Sequence, residues 1–173
     1  MNGQDTSIDT GARQCATFYV AEQLIGIDIR LVQEINRHVR TTSVPHTNTS
    51  VRGVLNLRGD VVTVLDLRTI LGLPPIAVTG QTRNLVVALG GEKTGLLVDR
   101  IAEVVTLEAG AVEPPPANVS KIDHRFMLGV AKLESELLVV LDAEAVLAER
   151  TIEERGEAVG AGRGRDGRNS DER

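Results

Sequence analysis

An internal repeat constrains the fold of this chain more than any other feature of its sequence. The segment from Gly129 to Leu147, GVAKLESELLVVLDAEAVL, aligns without a gap with the segment from Gly53 to Leu71, and 7 of the 19 positions are identical. An earlier pair of segments, Gly26 to Asn36 and Gly95 to Val105, aligns in the same order. A period of about 70 residues is too long for a solenoid repeat and indicates a duplicated small domain.

Each copy of the longer segment is predicted to form two strands, a turn and a short helix. In the first copy the turn falls at Arg58-Gly59-Asp60, and the residues 61–65 that follow are almost all β-branched, as strands favour. Asp66 and its repeat partner Asp142 stand where a helix N-cap belongs, and the second helix is expected to reach about Glu154. With the earlier strands, each half offers about five short strands and one helix, typical of a small closed barrel.

The composition divides the chain into a folded region and two polar ends. Residues 1–13 are polar, and residues 156–173 are Gly-rich without apolar periodicity, so both ends are expected to be disordered. The folded region, residues 14–155, is expected to contain two subdomains, about 14–80 and about 81–155. Subdomains of this size are marginal alone and should pack against each other.

The composition also disfavours several classes of function. The formal net charge is −5 and aromatic residues make up 2% of the chain, whereas nucleic-acid binding needs a basic groove and aromatic faces. The single cysteine, Cys15, excludes an internal disulfide framework and fits a reducing compartment. The first residues lack the apolar segment of a signal peptide, and no apolar run reaches the roughly 18 residues of a spanning helix. A cytosolic protein without direct membrane insertion is therefore expected.

No cluster of residues predicts catalysis, a cofactor or a metal site. None of the histidines stands at metal-ligand spacing from another His, Cys or carboxylate: His38, His46 and His124. Asp66 and Asp142 could form a symmetric dyad between two lobes, as in aspartic proteases. Aspartic proteases carry the catalytic residue in a D-[ST]-G turn, which is absent at both positions. Asp66 and Asp142 fit helix caps better. The chain is therefore expected not to be an enzyme.

The two halves differ at the turn of the longer repeat. Glu134 takes the position of Arg58, although Glu34 and Glu103 are repeat partners that keep the same charge. Such a divergence between duplicated halves indicates an asymmetric function at this turn. Arginine is enriched at protein interfaces, which makes Arg58 a candidate contact residue.

The segment VRGVLNLRGDVVTVLDLRTILGL resembles the signature of the CheW-like domain family, which contains the coupling proteins of bacterial chemotaxis. Further segments match in the same order, namely GIDIRLVQEI, RNLVVALGGEKTGLLVDRIAEV and FMLGVAKLESELLVVLD, so that the resemblance covers about Gln14 to Leu147. Thr63 departs from the pattern, because many members carry Pro there. The resemblance implies a mainly β fold of two tandem five-stranded SH3-like β-barrels, with short helices and a C-terminal helix.

The resemblance also implies a function without catalysis. It implies a stand-alone cytoplasmic adaptor that couples the tips of methyl-accepting chemoreceptors to the histidine kinase CheA and is recruited to membrane receptor arrays. In the family, receptor contacts involve the Val and Glu of a V-x-E-I segment and the Arg of NLRG. These positions match Val32, Glu34 and Arg58 here. The resemblance assigns no kinase-binding residues.

Three alternatives to this function stay open at the level of sequence. A hydrolase would need Asp66 and Asp142 within hydrogen-bond range in one cleft. An oligonucleotide-binding barrel is disfavoured by charge and by the missing aromatic residues. A coupling protein of a pilus-motility or other chemosensory array would keep the fold and change only the circuit in which it works.

Overall fold

The computed structural model describes residues 11–45, 47–118 and 121–150. Within these residues the chain forms ten strands, two short α-helices and two single-turn 3-10 helices at Ile29–Leu31 and His124–Phe126. The elements are β1 (Arg13–Val20), β2 (Gln23–Asp28), β3 (Val32–Asn36), β4 (Val51–Leu57), β5 (Asp60–Asp66), α1 (Leu67–Ile70), β6 (Arg83–Leu89), β7 (Glu92–Val98), β8 (Arg100–Leu107), β9 (Met127–Lys132), β10 (Leu137–Leu141) and α2 (Ala143–Ala148).

Several of the predicted segments lie wholly or partly outside the described residues. The tail 156–173, His46 and the continuation of the last helix to Glu154 are among them. Of the N-terminal segment 1–13, only residues 11–13 are described, and Arg13 already pairs with Leu107 as the first residue of β1. Strand β1 therefore begins at the last residue of the predicted polar segment.

The ten strands form two five-stranded sheets, which confirms the mainly β fold. Sheet A has the order β8-β1-β2-β10-β9, and sheet B has the order β3-β6-β7-β5-β4. Each sheet contains one parallel pair, β2 with β10 and β5 with β7, among antiparallel neighbours. In the described part of the chain, the first and last strands of each sheet are edges that no strand pairing joins to each other.

The predicted division of the chain near residue 80 does not match the sheets. Sheet A combines β1 and β2 from the first half with β8, β9 and β10 from the second, and sheet B makes the reciprocal combination. The two halves thus exchange their first hairpins. The repeat reveals the duplication but not which copy supplies a partner strand, because strand pairing depends on contacts between residues far apart in sequence.

The strand registers follow the repeat. Gly26 of β2 lies opposite Val140 of β10, and its repeat partner Gly95 of β7 lies opposite Val64 of β5. The two isolated β-bridges are also related by the repeat. Thr42 pairs with Val54, and Glu113 pairs with Val130, the repeat partner of Val54. The two sheets are therefore pseudo-symmetric, and any position in one has an identifiable counterpart in the other.

The main core lies between the sheets and contains the largest buried side chains, including Phe18 and Phe126. A smaller apolar cluster belongs to sheet A: Cys15, Leu24, Leu107, Ala131, Leu138 and Val140. A second cluster belongs to sheet B: Leu55, Val62, Val64 and Leu97. Cys15 is fully buried in the sheet A cluster, as a small apolar residue would be, and burial raises the pKa of its thiol.

Asp66 and Asp142 are both helix N-caps, as their sequence positions predict. Asp66 Oδ1 accepts a hydrogen bond of 3.0 Å from the Arg68 backbone N–H, and Asp142 Oδ1 accepts one of 3.2 Å from Ala145. Each carboxylate is thus engaged with the first turn of its own helix. Among the described residues, no helix has the length and apolar character to cross a membrane.

Candidate functional site

An ion pair between Glu34 and Arg58 connects the two edges of sheet B. Arg58 Nη1 donates to Glu34 Oε2 at 2.8 Å. Glu34 lies on β3 and Arg58 follows β4, and these two strands stand at opposite ends of the sheet order. The pair therefore bridges the gap between the edges β3 and β4, which we call the sheet B seam.

The turn after β4 holds Arg58 in an unusual backbone conformation. Arg58 and Gly59 have φ angles of 53° and 93°, and they separate the paired residues Leu57 and Asp60. Two positive φ values in a two-residue loop are the signature of a type I′ hairpin turn, whose twist matches that of the flanking strands. Asn56 Oδ1 reinforces the turn by accepting from the Gly59 N–H at 2.9 Å. The Arg58 side chain consequently projects into solvent and is 82% exposed.

Glu34 is held from two sides. Its Oε1 accepts from Asn36 Nδ2 at 2.7 Å while its Oε2 accepts from Arg58. Asn36 is fixed in turn, because its Oδ1 accepts from the His38 backbone N–H at 2.9 Å. A surface ion pair of this kind contributes little to stability. Its consequence is positional, since it orients the exposed guanidinium of Arg58.

Val32, the third residue of the predicted receptor-facing set, is not a member of this ion pair. It lies opposite Val87 and packs against the main core, whereas Glu34 lies opposite Val86 after a register shift. Residues two apart in a regular strand share a face, but the register shift between Val32 and Glu34 interrupts this alternation. Val32 is half-buried on an edge strand, which leaves part of its side chain accessible beside the seam.

Sequence reasoning missed Asn36 and Asn56, which position the two charged residues. Both are polar residues near strand ends, where asparagine often bonds to nearby backbone, and that preference was the available signal. In the described residues there is no group of three or more His, Cys, Asp or Glu side chains that could hold a metal ion.

Residues 14–151 match the CheW-like domain. The chain belongs to the CheW-like domain family. The matched region contains all ten strands, apart from Arg13, the first residue of β1. The family assignment therefore covers the fold that positions the ion pair.

Relatives of this CheW-like chain come from distant bacteria. The chemotaxis protein CheW of Bacillus subtilis is 34% identical, over 81% of this chain and 89% of the relative. That of Helicobacter pylori is 30% identical, over 75% of this chain and 78% of the relative. The solved structure of the scaffolding protein TtCheW from Thermoanaerobacter tengcongensis is 33% identical with a TM-score of 0.70, and the match covers 76% of this chain and 84% of that protein. The predicted family and fold are thereby confirmed.

Proposed function

We propose that this CheW-like chain is a chemotaxis coupling adaptor in the cytoplasm that joins methyl-accepting chemoreceptors to the histidine kinase CheA at membrane receptor arrays. Membership of the CheW-like family supports the adaptor role, because the relatives are chemotaxis proteins and one solved neighbour is a scaffolding protein. The observation that carries the site is the Glu34–Arg58 pair, which presents a charged and exposed side chain between the two edges of sheet B.

The receptor-facing surface consists of Val32, Glu34 and Arg58. Arg58 offers a planar group with five N–H donors, of which Glu34 engages one, so donors are left for acceptors on a receptor tip. Glu34 is the positioning residue of this surface, because its carboxylate fixes the direction of the guanidinium. Val32 supplies apolar contact from the edge of β3.

An adaptor also needs a second surface, so that receptor and kinase bind at the same time. The sheet B seam belongs to one sheet, and sheet A lies on the other side of the main core. A substitution in the sheet B seam should therefore separate the two binding functions.

The test is Arg58→Glu, with affinities for a receptor cytoplasmic fragment and for CheA from the same cell measured side by side. We expect receptor affinity to fall by about tenfold or more, which corresponds to about 1.4 kcal/mol per tenfold. Kinase affinity and the melting temperature should stay unchanged, because a turn side chain that is 82% exposed carries little core packing. Lys121→Glu reverses another exposed cation and serves as the matched control.

A charge-swapped double variant, Glu34→Arg with Arg58→Glu, separates the two roles. It restores an ion pair across the sheet B seam but removes the donors of Arg58, so we expect receptor binding to stay weak. Recovery of binding would show that the pair and not Arg58 itself is recognised. Equal loss of receptor and kinase binding in Arg58→Glu, or a lowered melting temperature, would show that Arg58 is structural.

A further inference from the structure

A groove of about 450 Å³ lies between β8 and the turn that joins β9 to β10, with residues of β1 and β2 also in its lining, and we call it the sheet A seam. One wall is β8 and the other is the turn between β9 and β10. The lining that matters here consists of Ala102, Glu103 and Val105 on one wall and Leu133, Glu134 and Glu136 on the other. The groove is thus apolar along its sides and acidic at its rim.

The pseudo-symmetry of the fold explains why this seam is open. Glu103 is the repeat partner of Glu34, and Glu134 is the repeat partner of Arg58. In sheet B these two positions form the ion pair that bridges the seam. In sheet A both are glutamates, both are exposed, and neither carboxylate has an ion pair within the described ranges. Two like charges facing a common gap disfavour its closure.

The cations near the groove already have other partners. Lys132 Nζ lies 3.7 Å from Glu113, and the Arg100 guanidinium stands 3.6 Å over the Tyr19 ring. The Tyr19 hydroxyl in turn donates to Glu136 at 2.7 Å. Within the part of the chain that the structure describes, the carboxylates of Glu103 and Glu134 are therefore the two acidic groups of this rim with neither an ion pair nor a hydrogen bond.

We propose that the sheet A seam is a second docking site, which takes a protein segment that presents an arginine or lysine between apolar side chains. The incoming cation would lie between Glu103 and Glu134 and supply the positive charge that Arg58 supplies in sheet B. Its apolar neighbours would contact Val105 and Leu133. The free edge of β8 offers unpaired backbone groups, so an extended segment can add hydrogen bonds along it.

This site is separate from the receptor-facing surface. That surface lies at the sheet B seam, whereas the groove belongs to the pseudo-symmetric position on sheet A. The duplication has thus produced one seam that the chain bridges by itself and one that it leaves for a partner. A failure of the receptor assignment leaves this proposal unaffected, because no residue is shared between the two.

The probe is a pair of synthetic peptides of about ten residues, the length of one strand. Both alternate Val and Thr, and they differ only in a central Arg or a central Glu. Backbone amide shifts of the full chain are followed by two-dimensional NMR during titration with each peptide. We expect saturable shifts confined to β8 and the β9–β10 turn with the Arg peptide, and none there with the Glu peptide.

The decisive variant is Glu134→Arg, which restores the charge pattern of sheet B. The introduced arginine should pair with Glu103, so the melting temperature should be unchanged or higher. The affinity for the Arg peptide should fall by about tenfold or more. Glu108→Arg, an exposed charge reversal just after β8, should bind the Arg peptide as the parent chain does. If Glu134→Arg proves unstable, Glu134→Gln should still weaken binding, because it removes one of the two carboxylates.

Three results would overturn the proposal. These are equal shifts with both peptides, shifts outside the groove, or undiminished binding of the Arg peptide to Glu134→Arg and Glu134→Gln. Sedimentation of the free chain adds a fourth: if it self-associates and Glu134→Arg abolishes this, the occupant is a second copy of the chain rather than a foreign segment.

Discussion

Arg68 and Asp99 form a bidentate ion pair that connects sheet A to sheet B. Arg68 Nε donates to Asp99 Oδ1 at 2.9 Å and Arg68 Nη2 donates to Oδ2 at 2.6 Å. Arg68 belongs to α1 after sheet B, while Asp99 Oδ2 also accepts from the Ala21 backbone N–H in the first turn of sheet A at 2.7 Å. The side chains are only 11% and 22% exposed, so solvent screens this pair far less than it screens Glu34–Arg58.

The first prediction concerns the pH dependence that this pair creates. Burial raises the pKa of Asp99, but hydrogen bonds from Arg68 and Ala21 outweigh burial and hold the pKa below its ordinary value of 3.8. A carboxyl group whose pKa is lower in the folded state stabilises the fold above its unfolded pKa, and the contribution is lost as the pH falls through the folded value.

Asp99→Asn should therefore lower the free energy of unfolding at neutral pH by about 2 kcal/mol, the typical contribution of charged hydrogen bonds. The difference in the free energy of unfolding between the variant and the parent chain should be constant above about pH 5. It should become smaller as the pH falls below the ordinary pKa of the carboxyl group. Urea unfolding at a series of pH values measures it. Asp60→Asn removes an exposed pair with Lys93 and should have little effect. A difference that stays constant down to pH 2, roughly two units below the reference pKa, would contradict the role of the charge.

The second prediction concerns the two helix caps. Alanine at Asp66 or at Asp142 should each cost about 1 kcal/mol of stability, because the first turn of the helix loses an acceptor. Asparagine at the same positions should retain most of the stability, since it caps helices about as well as aspartate does. Chemical unfolding of the four variants checks this. Equal losses with asparagine and alanine would assign the effect to charge instead of capping.

The third prediction uses the close approach of backbone at Gly129. A Cβ at this position would collide with the Glu113 carbonyl oxygen and would lie 2.7 Å from Val112 Cγ1. Gly129→Ala should therefore displace the segment that bridges to Val130 and destabilise the chain by about 1–3 kcal/mol, as overpacking does. Gly80→Ala is the control, because no heavy atom lies within 4 Å of its added Cβ. Equal stability of the two variants would refute the steric argument.

The fourth prediction distinguishes two truncations at the C-terminus. Arg150 Nη1 donates to Thr94 Oγ1 of sheet B at 2.9 Å, and Asn48 Nδ2 donates to the Glu149 carbonyl at 3.3 Å. Removal of the chain from Glu149 onward should lower the melting temperature, since the end of α2 loses these contacts. Removal of residues 156–173 should leave both the melting temperature and kinase coupling unchanged, because that segment is poor in apolar residues. A lowered melting temperature in the shorter deletion would show that these residues bind to the fold.

The exchange of hairpins shows where sequence reasoning reaches its limit for the fold. The turn at Arg58-Gly59, the strand that follows it and the caps at Asp66 and Asp142 were all predictable from residue types close together in sequence. The division near residue 80 was not, because the parallel pairs β2–β10 and β5–β7 join segments far apart in the chain. A repeat in sequence gives two equivalent ways to combine its copies, and local patterns do not distinguish them.

The sequence by itself determined the strands, the caps and the family signature, since each depends on residue types within one short segment, and comparison of such segments revealed the duplication. It also singled out Val32, Glu34 and Arg58 through a resemblance. Only the tertiary structure decided that Glu34 meets Arg58 across the sheet B seam and that Val32 packs against the main core. It also decided that the sheet A seam stays open. The reason is physical: these relationships depend on which strands become edges and on how closely the two edges of each sheet approach, and both are set by packing between distant segments.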